Sequence, residues 1–157
     1  MLIYDNRPFN NIEDHDKYII DTINECVSVN DQLYILWDIS WKANQSMGLL
    51  LQIKCNNIYY TQWNHDFTKY TKLYDNLWWT NLWLLYHDKE AKVVLSHYPL
   101  EERYHSRHKD WENYLHLHWH SHNNLWTHKD WRIDVWFTFK NLNRPVSLND
   151  IDLLFRF

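Results

Sequence analysis

Glycine is almost missing from this chain. Its 157 residues hold one, Gly48, where an average usage near 7% would give about eleven. Turns that need a positive φ normally recruit glycine, so a fold of this size must place Asn and Asp there or carry strain. Cysteine is nearly as scarce. Cys26 and Cys55 are too few for a disulfide framework and lack CxxC spacing, so both read as small buried hydrophobes in a reducing cytoplasm. Basic runs are absent: Lys+Arg total 16 against Asp+Glu 20, a formal charge of -4, which argues against a duplex nucleic acid as partner. The same lack of a basic groove argues against a single-strand binder that would use the many aromatic residues as stacking platforms. No apolar run approaches the roughly 18 residues that span a bilayer, and "MLIYDNRPFNNIEDHDKY" has no basic segment followed by an apolar one, so neither membrane nor secretion is expected. With no Pro/Gly/Ser-rich linker or internal repeat, residues 1–157 read as a single domain large enough to bury a core.

Tryptophan is the matching excess, with 11 copies. Along the chain, "NNIEDHDKYIIDTINECVSV" offers Asn at a plausible N-cap, acids in the first turn, and Ile19, Ile23, Cys26 and Val27 at helical spacing. It predicts an amphipathic helix. "QLYILWD" is a strand-like run ending at Asp38, and "NQSMGLLLQI" predicts a second helix. "NIYYTQWNHD" repeats the strand design and closes on Asn64, His65 and Asp66; "AKVVLSHYPL" closes on Ser96 and His97; "NYLHLHWHSH" closes on His118, His120 and His122. "RIDVWFTF" predicts another strand and "SLNDIDLL" a short helix with Ser147 as N-cap.

Four apolar runs therefore stop at residues able to bind metals. In α/β folds built on sheets, ligand sites assemble in the loops at strand ends, so one shared site is the economical reading. Carboxylate, amide oxygen and imidazole donors together suit Mn, Fe, Zn or Co rather than the all-oxygen sites of calcium. Histidine ligands must be neutral to bind, so binding should fail in acid. In "HWHSH" a continuing strand would put His118, His120 and His122 on one face, whereas a turn would aim His120 and His122 differently.

"LYILWDIS", "QWNHD", "VVLSHYPL", "LHLHWHSH" and "RIDVWFTF...RPVSLNDI" resemble, in order and spacing, the calcineurin-like metallophosphoesterases, especially their small bacterial and phage members. The resemblance covers essentially the whole chain. It implies an α/β fold, a four-layer α/β/β/α sandwich, and hydrolysis of phosphomono- or phosphodiesters by a water activated between two divalent ions. It also implies roles: Asp38 bridging the metals, Asn64, His97 and His120 completing one site, and His122 belonging to the other. His65 would stand beside the leaving group as general acid or transition-state stabiliser, oriented by Asp66. His118 reads as a strand residue packed nearby, and His105 and His108 in "YHSRHKD" as solvated loop residues near the substrate entrance. The expected partner is a small phosphate ester.

The chain departs from the family in two respects. Members begin with a strand ending in Asp-x-His, which supplies two ligands to the first metal, and "MLIYDNRPF" resembles them only from just after that point. The expectation is a domain lacking its first strand, with only Asp38 and His122 left at the first metal, exposed ladder groups, and little activity; the alternative is an inactive metal-binding or interaction protein that keeps the second site. The other departure is Trp37, Trp63, Trp119, Trp126 and Trp136, which stand where relatives carry glycine. Such glycines permit positive φ or a close backbone approach; at roughly 1–3 kcal/mol each by strain or overpacking, five replacements would cost on the order of a whole domain's stability. A gene that reads UGA as Gly, translated with a code that reads it as Trp, would produce this pattern and leave genuine tryptophans such as Trp41 and Trp111 in place.

Overall fold

The computed structural model describes residues 9, 11–36, 43–61, 77–105, 107, 111, 113–120, 131–135 and 143–155, without the side chains of residues 43–46, 104–105 and 155. Helix α1, Ile12–Cys26, starts where the sequence places it: Asn11 has an extended φ of -147° and its side chain accepts from the Asp14 amide at 2.7 Å. Satisfying an otherwise orphaned N–H fixes that end. Ile23 is buried, Ile19 and Val27 pack partly against the same cluster, and Cys26 lies on the exposed side. The expectation of two buried cysteines holds for Cys55 alone, whose thiol lies 3.2 Å from the Asp31 carbonyl. Cys26 sits at the last turn of α1, where the apolar stripe has already passed under Val27.

Strands β1 (Gln32–Ile35), β2 (Asn57–Tyr60) and β3 (Thr80–Asn81) form a parallel sheet in that order, with helix α2 (Ala43–Leu50) between the first two. Strands β4 (Leu85–Asp88), β5 (Val93–Ser96), β6 (Leu115–His118) and β7 (Arg132–Asp134) form a second sheet in chain order. Only the β4–β5 pair is antiparallel. A four-residue helix, α3 (Glu102–His105), follows β5, and α4 (Leu148–Phe155) lies near the chain end. The protein is thus mixed α/β with one parallel and one mixed sheet.

Each sheet has its own core. Leu33, Ile35, Ile58, Tyr60 and Trp79 pack with Ile23 of α1. Leu95, Leu117, Ile133 and Ile151 pack with Leu36, so the β1 segment stands at the joint of the two clusters. Beside it lies a cleft of about 510 Å³. In the second sheet every residue of β5, β6 and β7 is buried. Alternation sends Val93, Leu95, Leu115 and Leu117 into the core and leaves Val94, Ser96, His116 and His118 on the opposite, equally covered face. Among the described residues no helix is long and apolar enough to cross a membrane.

Helix α4 is held by an acid with two tasks. The Asp150 carboxylate accepts from both Arg144 Nη atoms at 2.8 Å, and it also accepts from the Ser147 amide and hydroxyl at 2.8 and 2.7 Å. The Asp150 amide in turn donates to Ser147 Oγ at 3.1 Å, a reciprocal cap. The Arg144 hydrogen bonds, then those from Ser147, hold the Asp150 carboxyl well below the usual carboxylate range against the opposing effect of burial. A folded-state value below the unfolded one means stabilisation that is present above about pH 4 and lost as pH falls toward the folded value. Asp150→Asn is therefore expected to cost about 2 kcal/mol at neutral pH, read from the urea midpoint, and progressively less below about pH 4. An equal cost at both pH values would refute the assignment.

Backbone conformation sorts the tryptophans. Trp78 and Trp83 both have φ 62°, in the left-handed region, and are 92% and 71% exposed. Trp79 and Trp111 are buried, and neither has a positive φ. Gly48 lies within α2, where an added Cβ would meet nothing within 4 Å. The single glycine stands where none is required.

Candidate metal centre

The site is built at the C-terminal ends of the parallel strands. The Thr61 amide, just past β2, donates to the Ile35 carbonyl of β1 at 3.0 Å. His97, just past β5, sends Nδ1 to the carbonyl of Leu36 at 2.8 Å. The amides of Trp119 and His120, just past β6, donate to the His97 carbonyl at 3.2 and 3.0 Å. Four hydrogen bonds thus stitch the ends of β1, β2, β5 and β6 together. The strand of β6 stops at His118 and the chain turns at His120, so His118 and His120 do not share one continuous strand face.

A carbonyl oxygen only accepts, so the Leu36 contact places the His97 proton on Nδ1 and leaves a lone pair on Nε2. That lone pair faces Nδ1 of His120 at 3.2 Å. Two nitrogen ligands at about 2.0–2.1 Å from one ion stand about 2.8–3.4 Å apart between octahedral and tetrahedral angles, so the observed separation suits two donors to a single cation. Anchoring the far ring nitrogen on a backbone carbonyl is the usual way a metal-ligating histidine is oriented. The Tyr98 ring packs against both imidazoles, 5.0 Å from His97 and 4.4 Å from His120. His97 is buried and His120 exposed, which gives the pair one closed and one open side.

Of the residues expected to act here, the structure brings His97 and His120 together. Asp38, Asn64, His65, Asp66, His122 and His108 lie outside the described residues, as do Trp37, Trp63, Trp126, Trp136 and Trp41 and the side chain of His105. Asp38 follows Leu36 by two positions, Asn64 follows Thr61 by three and His122 follows His120 by two. Among the described residues, no group of three or more His, Cys, Asp or Glu side chains is placed to hold a metal ion. At Trp119 one of the two roles expected of a motif glycine does not apply. Its φ is not positive; its amide reaches the His97 carbonyl and its ring packs partly on the second core.

Sequence reasoning missed the layer beneath His97. The Leu100 amide donates to His116 Nδ1 at 3.4 Å, which leaves Nε2–H to donate to Ser96 Oγ at 2.7 Å, and that hydroxyl donates to the Tyr98 carbonyl at 2.6 Å. Arg132 donates to the Leu100 carbonyl and lies 5.3 Å over the Trp131 ring, its pKa lowered by burial, with Glu102 opposing. These contacts fix residues 96–100, the segment that carries His97 and Tyr98. The fully buried Asp134 stands in register with His118 on the same sheet. The alternating His116 and His118 in "LHLH" were the available signal for a polar layer.

No family model, curated protein or solved structure matches the chain.

Proposed function

We propose that this protein is a metal-dependent phosphoesterase of calcineurin-like four-layer build, hydrolysing phosphomono- or phosphodiesters. The observation that carries the reading is the His97–His120 pair, with nitrogens 3.2 Å apart and His97 Nδ1 tied to the Leu36 carbonyl. Asp38, Asn64, His97, His120 and His122 would hold two divalent ions drawn from Mn, Fe, Zn or Co. When bound, such ions polarise the phosphoryl group and acidify the attacking water.

The chain's own groups have separate tasks. His97, buried and anchored, presents Nε2 in a fixed direction; His120, at the exposed edge, meets ligands arriving from solvent. His65, oriented by Asp66, would donate a proton to the leaving oxygen. The ester would enter on the His120 side, because His97 is buried and His120 exposed. The test is metal analysis of the purified chain together with hydrolysis of aryl phosphate mono- and diesters. Two ions with turnover support the phosphoesterase. About one ion without turnover favours a metal-binding protein that keeps the second site only. A folded chain that takes up no transition metal excludes both.

A further inference from the structure

Strand β5 ends at Ser96, so His97 is the first residue after it that the sheet no longer aligns. Its ring still needs a fixed direction, because a metal ligand must be held to within about 0.5 Å of its productive position. The amides of Trp119 and His120 hold its carbonyl. A side chain supplies the other restraint on the backbone: Ser96 Oγ donates to the Tyr98 carbonyl at 2.6 Å, so one hydroxyl clasps a short turn with His97 at its apex. Pro99 follows, whose ring fixes its φ and stiffens the segment further. A hydroxyl has one proton and can turn it several ways. At Ser96 the direction is set by His116. The Leu100 amide, which can only donate, meets His116 Nδ1 at 3.4 Å, so the ring proton lies on Nε2 and fills a lone pair of Ser96 Oγ at 2.7 Å. The Tyr98 carbonyl then receives the Ser96 proton. With the other tautomer Ser96 would turn its proton to His116, the clasp would open, and the Leu100 amide would face an N–H. Arg132 holds Leu100 from its carbonyl side, and Ser96 and His116 are both buried.

We propose that Ser96 and His116 are positioning residues for metal binding: His116, through the Ser96 hydroxyl, fixes the turn that aims His97 Nε2 toward His120 Nδ1. Neither side chain touches the ion. Two restraints divide the task of presenting His97. The Leu36 carbonyl fixes the rotation of the ring and the nitrogen that carries its proton, whereas the clasp fixes the backbone from which the ring hangs. The inference rests on the metal-centre reading of the His97–His120 pair and is independent of phosphoesterase turnover.

The probe is Co(II), titrated into the full chain and followed by its visible absorption, with urea unfolding of each metal-free variant alongside. Ser96→Ala and His116→Leu should each weaken binding at least about tenfold. His116→Gln should regain most of that loss, because its side-chain amide donates to Ser96 Oγ from about the place of Nε2. In a chain already carrying His97→Ala, the Ser96→Ala change should alter affinity less than about twofold, since the ring it aims is gone. A substitution that merely loosens the fold lowers affinity by the same factor with or without His97, and that result would overturn the proposal. So would unchanged affinity in Ser96→Ala while His120→Ala loses the metal, an outcome that leaves the metal centre standing. His116→Gln binding no better than His116→Leu would remove His116 from the arrangement. If His116→Leu does not fold, the two Ser96→Ala comparisons decide, since that change removes a single oxygen. A folded, unsubstituted chain that takes up no Co(II) overturns the metal-centre reading and this inference with it.

Discussion

Substituting His97 by alanine is expected to lower the affinity for a transition metal by at least about a hundredfold, and with it any phosphoesterase turnover. The side chain supplies two things at once. Its Nε2 lone pair faces His120 Nδ1 at 3.2 Å, and its Nδ1–H satisfies the Leu36 carbonyl at 2.8 Å. Alanine removes both and leaves a buried acceptor open beside a small void, so the metal-free chain should also lose about 2 kcal/mol. His120→Ala separates the two effects. That ring is exposed, and the backbone bond from His120 N to the His97 carbonyl at 3.0 Å survives the substitution. It should lose metal to a similar extent with little change in metal-free stability. Isothermal titration with Mn or Zn, alongside urea unfolding in a chelator, reads both quantities. If His120→Ala keeps full metal affinity, the pair is a packing contact, and the proposed centre loses the observation that supports it.

The contrast between these histidines also shows how much the sequence disclosed. A strand run followed by a histidine was enough to place His97 and His120 at strand ends, because a polar residue after an apolar run leaves the sheet at its rim. The cap of α1 was legible for a similar reason: Asn11 with acids behind it has few other uses. The partition into two sheets was not legible, since β3 has two residues and β4 four, too short for a period to register. Neither was the polar layer of Ser96, His116 and Arg132. Alternating polar residues in a strand normally signal a solvated face, whereas here the second face is covered as fully as the first. The tryptophans at motif glycines were noticed from spacing alone, and spacing cannot say which glycine function is lost. At Trp119 it is not a positive φ. Among the described tryptophans, the left-handed backbone lies at Trp78 and Trp83, which no motif marks.

Those two positions carry the other large effect: Trp78→Gly/Trp83→Gly is expected to stabilise the chain by about 2 kcal/mol, raising Tm by roughly 4–8 °C for a domain of this size. Both residues hold φ 62° and are 92% and 71% exposed, so their indoles gain little from burial to offset the strain. Left-handed backbone costs an L-residue about 1–2 kcal/mol, part of which glycine returns through the greater entropy of its unfolded state. The Trp83 amide bond to Asn81 Oδ1 at 2.7 Å needs no side chain and persists in the variant. Removing both indoles should also raise solubility, since Trp83 and Leu84 form a neighbouring exposed apolar pair. The control is one residue away. Trp79 is buried in the first core, so Trp79→Gly should cost at least about 3–5 kcal/mol. Opposite signs at adjacent tryptophans would separate residues the fold requires from residues it tolerates, and the gene offers an independent reading. If UGA is the source of the displaced glycines, codons 78 and 83 are UGA while codons 79 and 111 are UGG. UGG at both 78 and 83 would end that explanation for them, and a destabilised double variant would show that the left-handed turns have adapted to tryptophan.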